Sequence, residues 1–199
     1  TDLVFQNERV TFSALQKASH VLAHELNGKY GIAKGDRVAI IMRNYPQWPL
    51  AFYSALSVGA IATPMNSWWT AEELEYGLSF AGVKLAVIDA QIYERIRGLL
   101  DKLPDLKHIL IARDSGEEIA DPRVSSLDAI VGHPNDWTDL KDPGPVAVDL
   151  GPDDDATIMY TSGTTGKPKG ALATHRAIVS NMFNSSTCQA RMFLRKGEP

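Results

Sequence analysis

The spacing of apolar and polar positions changes period several times along the chain. Leu15, Ala18, Leu22 and Leu26 recur at helical spacing, with Thr11 or Ser13 as candidate caps and Asn27-Gly28 as the close. The turn Lys34-Gly35-Asp36 leads into a short apolar run over 37–42, which predicts a buried strand. A second helix is expected from Pro46, a residue that suits the first helical turn, with Trp48, Phe52, Ala55 and Leu56 on one face. Gly59 then opens a short strand over 60–63 that Pro64 ends. Thr70-Ala71-Glu72-Glu73 has the spacing of a capping box and predicts a third helix through Leu74, Leu78 and Ala81.

Further on, the pattern predicts a strand over 84–89, a helix over 92–103 and a strand over 107–112. Strands separated by helices of this length imply right-handed crossovers, so the expected fold class is α/β, a mainly parallel sheet with helices on both faces. The periodicity weakens after Ala112. Residues 1–112 read as the alternating core and 113–155 as a connecting segment of the same subdomain. That segment is punctuated by Pro122, Pro134, Pro143, Pro145 and Pro152, with a short helix near 127–131. Residues 156–199 read as a strand over 156–160, a loop of unusual composition and a following helix.

Composition narrows the function. With 199 residues, 44% hydrophobic and 22% charged, the chain suits one subdomain with its own core. A net charge of −4 provides no basic field for nucleic acid, so an anionic ligand must be held by local features. The single cysteine, Cys188, allows no intrachain disulfide and fits a reducing cytoplasm, the expected location. The start, Thr1-Asp2-Leu3-Val4-Phe5, lacks the basic region of a signal peptide, and no apolar run approaches the length of a membrane span. The chain begins without Met and stops at Gly197-Glu198-Pro199, and is expected to be a fragment.

The loop carries the chemistry. Thr161, Ser162, Gly163, Thr164, Thr165, Gly166, Lys167, Pro168, Lys169 and Gly170 include four hydroxyl side chains, three glycines, two lysines and no acid. Hydroxyls donate to anionic oxygens, glycines let backbone amides approach closely, and lysines neutralise charge as mobile point donors. The composition is suited to a polyphosphate. A flexible Gly/Ser/Thr connector is the bland alternative. It leaves unexplained the lysines on either side of a proline, the missing acids and the strand leading straight in. A Walker A loop needs a glycine where Thr161 stands and a hydroxyl where Pro168 stands, and both requirements fail. Ordering about eight loop residues costs on the order of 8–16 kcal/mol. About six charge-assisted hydrogen bonds return on the order of 9–18 kcal/mol. A loop so balanced is expected to be mobile when empty and ordered by nucleotide.

The run Tyr160-Thr161-Ser162-Gly163-Thr164-Thr165-Gly166-Lys167-Pro168-Lys169-Gly170 resembles the signature loop of the acyl-adenylate-forming superfamily. Ala171-Leu172-Ala173-Thr174-His175-Arg176 is similar to the family's segment just C-terminal to that loop. Val10-Thr11-Phe12-Ser13-Ala14-Leu15 resembles the family's opening helix motif, and the run from Leu56 to Asn66 resembles its second core motif. These anchors stand in the family's order and span nearly the whole chain.

The resemblance implies an N-terminal subdomain of the adenylate-forming fold. It also implies activation of a carboxylic acid by ATP with Mg²⁺, then transfer of the acyl group to CoA. The partners it implies are a small carboxylate and a nucleotide. By the same resemblance, Thr161 to Lys167 and Lys169 grip the β- and γ-phosphates. In the family, the adenine- and ribose-binding motifs, the Mg²⁺-binding acid, most of the acyl pocket and a catalytic lysine lie C-terminal to this region. No complete catalytic set and no metal ligand is therefore expected here, and the missing C-terminal part of the same enzyme is an expected partner. Thr164-Thr165 resembles the acyl-CoA synthetase version of the loop, which favours a CoA ligase, and a fatty-acid–CoA ligase is the expected member. The rival readings are adenylation for a carrier protein and a truncated nucleotide-binding or interaction module.

Weaker signals stand beside these. His20 and His24 lie four apart, but Val21 stands where a zinc-protease helix needs Glu, so exposed surface histidines are expected. Trp68 and Trp69 with Trp48, Phe52 and Tyr53 suggest an acyl tunnel, against which plain core packing is the simpler reading. His175 and Arg176 fit helix-start packing. Arg191, Arg195 and Lys196 fit a solvated helix end better than a site for CoA phosphates or a membrane surface.

Overall fold

Residues of alternate parity along the central strands face opposite sides of a sheet, and both sides are covered. The computed structural model describes residues 3–114, 116, 119–161 and 167–196, with side chains of the last helix described through 189 and at 191. A hairpin of β1 (Leu3–Phe5) and β2 (Glu8–Val10) precedes α1 (Phe12–Gly28). Then come β3 (Arg37–Ile41), α2 (Gln47–Ser57), β4 (Ile61–Pro64), α3 (Ala71–Ala81), β5 (Val83–Asp89), α4 (Ala90–Ile96) and β6 (His108–Ala112). Next are β7 (Val124–Ser126), α5 (Asp128–Val131), β8 (Asp155–Thr161), β9 (Lys169–Thr174) and α6 (His175–Lys196).

The main sheet has the order β7-β6-β5-β3-β4-β8-β9, parallel throughout except where β9 runs antiparallel to β8 at the edge. The expected α/β class is what the chain forms. From β3 the chain steps through α2 to β4, then returns through α3 to β5 on the other side of β3. The crossover helices accordingly fall on opposite faces. Val38, Ile40, Leu85, Val87 and Leu110 join α1 and α2 in one core; Ala39, Ile41, Ala86, Ile88 and Ile109 join α3 and α4 in the other.

Local signals explain most boundaries. The Thr11 side chain accepts from Ala14 N and caps α1. Thr70 and Glu73 complete a reciprocal capping box on α3. Gly82, with φ of 60°, closes α3 in the left-handed conformation, and the Arg37 guanidinium donates to the carbonyls of Ala81 at 2.7 Å and Gly82 at 2.6 Å.

Several expectations need correction. The buried face of α2 is Gln47, Leu50, Ala51, Ser54 and Ala55. Trp48 and Phe52 are half-buried and stack on each other with centroids 5.4 Å apart. Small residues decide this, because they let α2 approach α1. The Ser54 hydroxyl lies 2.7 Å from Leu50 O and 3.1 Å from Ser19 O on α1. The helix expected over 92–103 is α4 followed by a 3₁₀ turn, Arg97–Lys102. The connecting segment also holds β7 and a 3₁₀ turn, Pro134–Asp139, which buries Trp137 completely.

His24 is exposed as expected, His20 is half-buried instead, and both fasten the connecting segment to α1. His20 Nδ1 lies 2.7 Å from Asp142 Oδ1, and His24 Nε2 lies 3.2 Å from Gly144 O. Hydrogen bonding to His20 holds the Asp142 carboxyl below its ordinary range. Lys34 adds contacts to Asp149 O at 2.9 Å and the Asp154 carboxylate at 2.6 Å.

Candidate functional site at the β8–β9 hairpin

The chain expected to run from strand through loop to helix instead turns back as a strand. Thr161 and Lys169 are cross-strand partners at the neck of the β8–β9 hairpin, and the Thr161 hydroxyl is 3.4 Å from Lys169 O. Gly170 is needed at the pairing, because a Cβ there would stand 2.8 Å from Ile158 Cγ2. Of the candidate phosphate ligands, Thr161, Lys167 and Lys169 are described and exposed. Ser162, Gly163, Thr164, Thr165 and Gly166 lie outside the described residues. The expectation that nucleotide orders this loop concerns those residues, so it too lies outside what is described.

Position in the sheet gives the hairpin its meaning. β8 runs parallel to β4, with Thr157 opposite Ala62, so Thr161 emerges at the carboxyl end of the parallel strands. That end, beside the point where crossovers change face, is where open α/β sheets present ligand-binding loops.

Helix α3 underpins the hairpin. The Tyr160 hydroxyl donates to Gly77 O at 2.8 Å, and its ring meets Trp69 edge-on with centroids 5.3 Å apart. Gly77 fits because a Cβ would come within 2.9 Å of the Trp69 ring and 3.2 Å of Met65 Sδ. Burial, with Tyr76 nearby, pushes the Tyr160 phenol up to about 12, so the group stays a donor across the physiological range. On the far side of the loop, Lys167 Nζ sits 4.9 Å from the centre of the Tyr76 ring. Sequence pattern alone does not mark Tyr76, Gly77 and Trp69 as parts of this site. The signal available for Tyr76 is an aromatic pair, Tyr76 and Phe80, spaced four apart on the outer side of α3.

The other candidates disperse. Trp48 and Phe52 pack on the α1–α2 side of the sheet and Trp69 on the α3–α4 side, while Trp68 is 81% exposed. These rings therefore line no common tunnel. His175 and Arg176 begin α6: their backbone amides donate to Asp154 O and Pro152 O, and the Arg176 guanidinium clasps Asp153 at 2.6 and 2.9 Å. Arg191 is exposed on α6, and the Arg195 and Lys196 side chains lie outside the described residues. Among the described residues no group of three or more His, Cys, Asp or Glu is gathered to hold a metal ion. No helix among the described residues is long and apolar enough to cross a membrane.

Residues 1–197 match the family described as AMP-binding enzyme. The chain belongs to that family. Over 195 residues it is 30% identical to a long-chain-fatty-acid–CoA ligase of Escherichia coli, covering 90% of this chain and 34% of the relative. Over 175 residues it is 35% identical to a long-chain-fatty-acid–CoA ligase of Mycobacterium tuberculosis, covering 86% of this chain and 31% of the relative. An inhibitor-bound N-terminal domain of FACL13 from M. tuberculosis superposes with a TM-score of 0.66 at 32% identity, covering 83% of this chain and 37% of that one. The chain thus spans about a third of the length of the curated AMP-binding relatives it matches.

Proposed function

We propose that this chain is the N-terminal, phosphate-gripping part of an acid–thiol ligase that activates a fatty acid with ATP and passes the acyl group to CoA. The observation that carries the reading is the hairpin itself. A hydroxyl-, glycine- and lysine-rich loop is pinched at Thr161–Lys169 at the carboxyl end of a parallel sheet, where a nucleotide's phosphates would be received. The names of the relatives, long-chain-fatty-acid–CoA ligases, support fatty acid as the acid and CoA as the acceptor.

In this reading a carboxylate oxygen attacks the α-phosphorus of ATP, and the bond to the β-phosphate oxygen breaks. The products are an acyl-adenylate and pyrophosphate. Thr161, Ser162, Gly163, Thr164, Thr165, Gly166, Lys167 and Lys169 hold the β- and γ-phosphates and take up the charge that develops on the leaving pyrophosphate. The CoA thiol then loses its proton, attacks the acyl carbon and releases AMP. Mg²⁺ accompanies ATP, and no step is assigned to it through residues of this chain. The cytoplasm is the compartment that fits a lone thiol, Cys188, and a CoA-dependent reaction.

The test is thioester formation by the longest reading frame that contains this chain, with ATP, CoA and a panel of fatty, aromatic and amino acids. Acyl-CoA from fatty acids is the expected product. AMP formation with transfer only to a carrier protein would move the assignment to the carrier-directed rival. No AMP from any acid would sink it. The 199-residue chain alone is expected to release no pyrophosphate from ATP in the presence of a carboxylate.

A further inference from the structure

Both shoulders of the loop rest on neighbouring residues of one helix. Tyr160, immediately before the neck, is anchored by its hydroxyl on Gly77 O at 2.8 Å. Lys167, immediately after residues 162–166, holds its ammonium 4.9 Å from the centre of the Tyr76 ring. Tyr76 in turn stacks on Phe80 with centroids 5.4 Å apart and planes 20° from parallel. Helix α3 therefore offers the hairpin a two-ring aromatic face beside a backbone acceptor.

The two anchors differ in kind. The Tyr160 anchor is half-buried, edge-packed on Trp69 and built around a glycine that admits no side chain. The Lys167 contact joins an exposed lysine to a half-buried ring. A ring face attracts an ammonium through its quadrupole alone, whereas a phosphate oxygen carries net charge and accepts charge-assisted hydrogen bonds. A polyphosphate within reach takes the lysine from the ring.

The geometry points to Tyr76 as a positioning residue that holds the Lys167 ammonium against α3 and yields it to an incoming polyphosphate. This rests on the phosphate-gripping reading of the loop. Because Tyr160 fixes the other shoulder, Lys167 leaves the ring without the neck of the hairpin moving. The contact keeps a cation in place at an empty site, and its loss on binding subtracts a small amount from the affinity for phosphate. The ligand class is a linear polyphosphate, whether inorganic or the tail of a nucleotide.

The experiment is a proton–carbon NMR titration, with inorganic tripolyphosphate, of the longest reading frame that contains this chain, labelled at lysine and tracking the Lys167 ε-methylene, assigned with Lys167→Met. In the free chain and in Tyr76→Phe the ring current is expected to move that signal upfield; in Tyr76→Leu it returns to the ordinary position. Far-UV circular dichroism confirms that each variant is folded. Tripolyphosphate is expected to return the parent signal to the ordinary position and to bind Tyr76→Leu about 2–5-fold more tightly than the parent or Tyr76→Phe. An ordinary signal in the free parent overturns the inference. So does a bound state that keeps the upfield signal, or a Tyr76→Leu affinity equal to or weaker than the parent's. If tripolyphosphate binds no variant while the free-state signal is upfield, the phosphate reading of the loop fails and the yielding of Lys167 fails with it. Adenosine triphosphate and adenosine run in parallel separate recognition of the phosphate tail from recognition of the nucleoside.

Discussion

Strands β3, β5 and β6 and the β8–β9 hairpin belong to one sheet but live in different surroundings. On β3 and β5, Val38, Ala39, Ile40, Ile41, Leu85, Ala86, Val87 and Ile88 are all fully buried, with a helical layer on each face. Among the described residues of the hairpin only Ala156 and Thr157, at the base of β8, are buried. Met159 is 41% exposed and Leu172 56% exposed, and Phe183 on the following helix is 71% exposed. The first region is a scaffold whose stability comes from two-sided burial. The second is an arm fastened to that scaffold by the Thr157–Ala62 pairing and by Tyr160 on Gly77, and it carries the loop with the candidate chemistry. Binding loops are drawn from the weakly supported end of a structure, where ordering by ligand remains open to them.

The contrast can be broken in descending steps. Leu85→Ala removes a fully buried side chain from β5 and is expected to cost about 2–5 kcal/mol in urea unfolding. Tyr160→Phe, which leaves Gly77 O without its donor, is expected to cost about 1 kcal/mol. The same variant has a pH signature. The folded phenol, raised to about 12, keeps its proton after an ordinary unfolded phenol near 10 has lost it, so the folded state binds more protons between those values. Stability present below pH 10 is therefore lost as pH rises towards 12, and Tyr160→Phe is expected to flatten that part of the curve.

Thr70→Ala, which removes the capping box of α3, is expected to cost about 1 kcal/mol or less and to loosen the support under the hairpin. Leu172→Ala on β9 is expected to stay within about 0.5 kcal/mol. If Leu172→Ala cost as much as Leu85→Ala, the division into scaffold and arm would be wrong.

The scaffold is legible in the sequence where local chemistry decides structure. The Thr70–Glu73 capping box, the Thr11 cap and the apolar runs of β3, β5 and β6 all lie where pattern places them. Pattern misleads where size is weighed above fit. Trp48 and Phe52 draw attention on α2, yet the buried face is Gln47, Leu50, Ala51, Ser54 and the expected Ala55, and Ser54 makes the hydrogen bond to α1. Strand β9 escapes it, because Gly170 and two alanines carry little strand propensity and the strand sits on an exposed edge without alternation. The loop itself is readable from composition. Its support on α3 is not, since Tyr160 and Gly77 are 83 residues apart and only the sheet order brings them together.

The most direct test of the central claim, that this hairpin grips the phosphates during acyl-adenylate formation, is carboxylate-dependent ATP–pyrophosphate exchange. It compares the longest reading frame containing this chain with its Lys167→Ala/Lys169→Ala variant. Two lost charge-assisted contacts are expected to slow exchange by about 100-fold or more while unfolding stability stays within about 1 kcal/mol. Exchange by the variant at the parent rate would show that the phosphates are held elsewhere and would contradict the account.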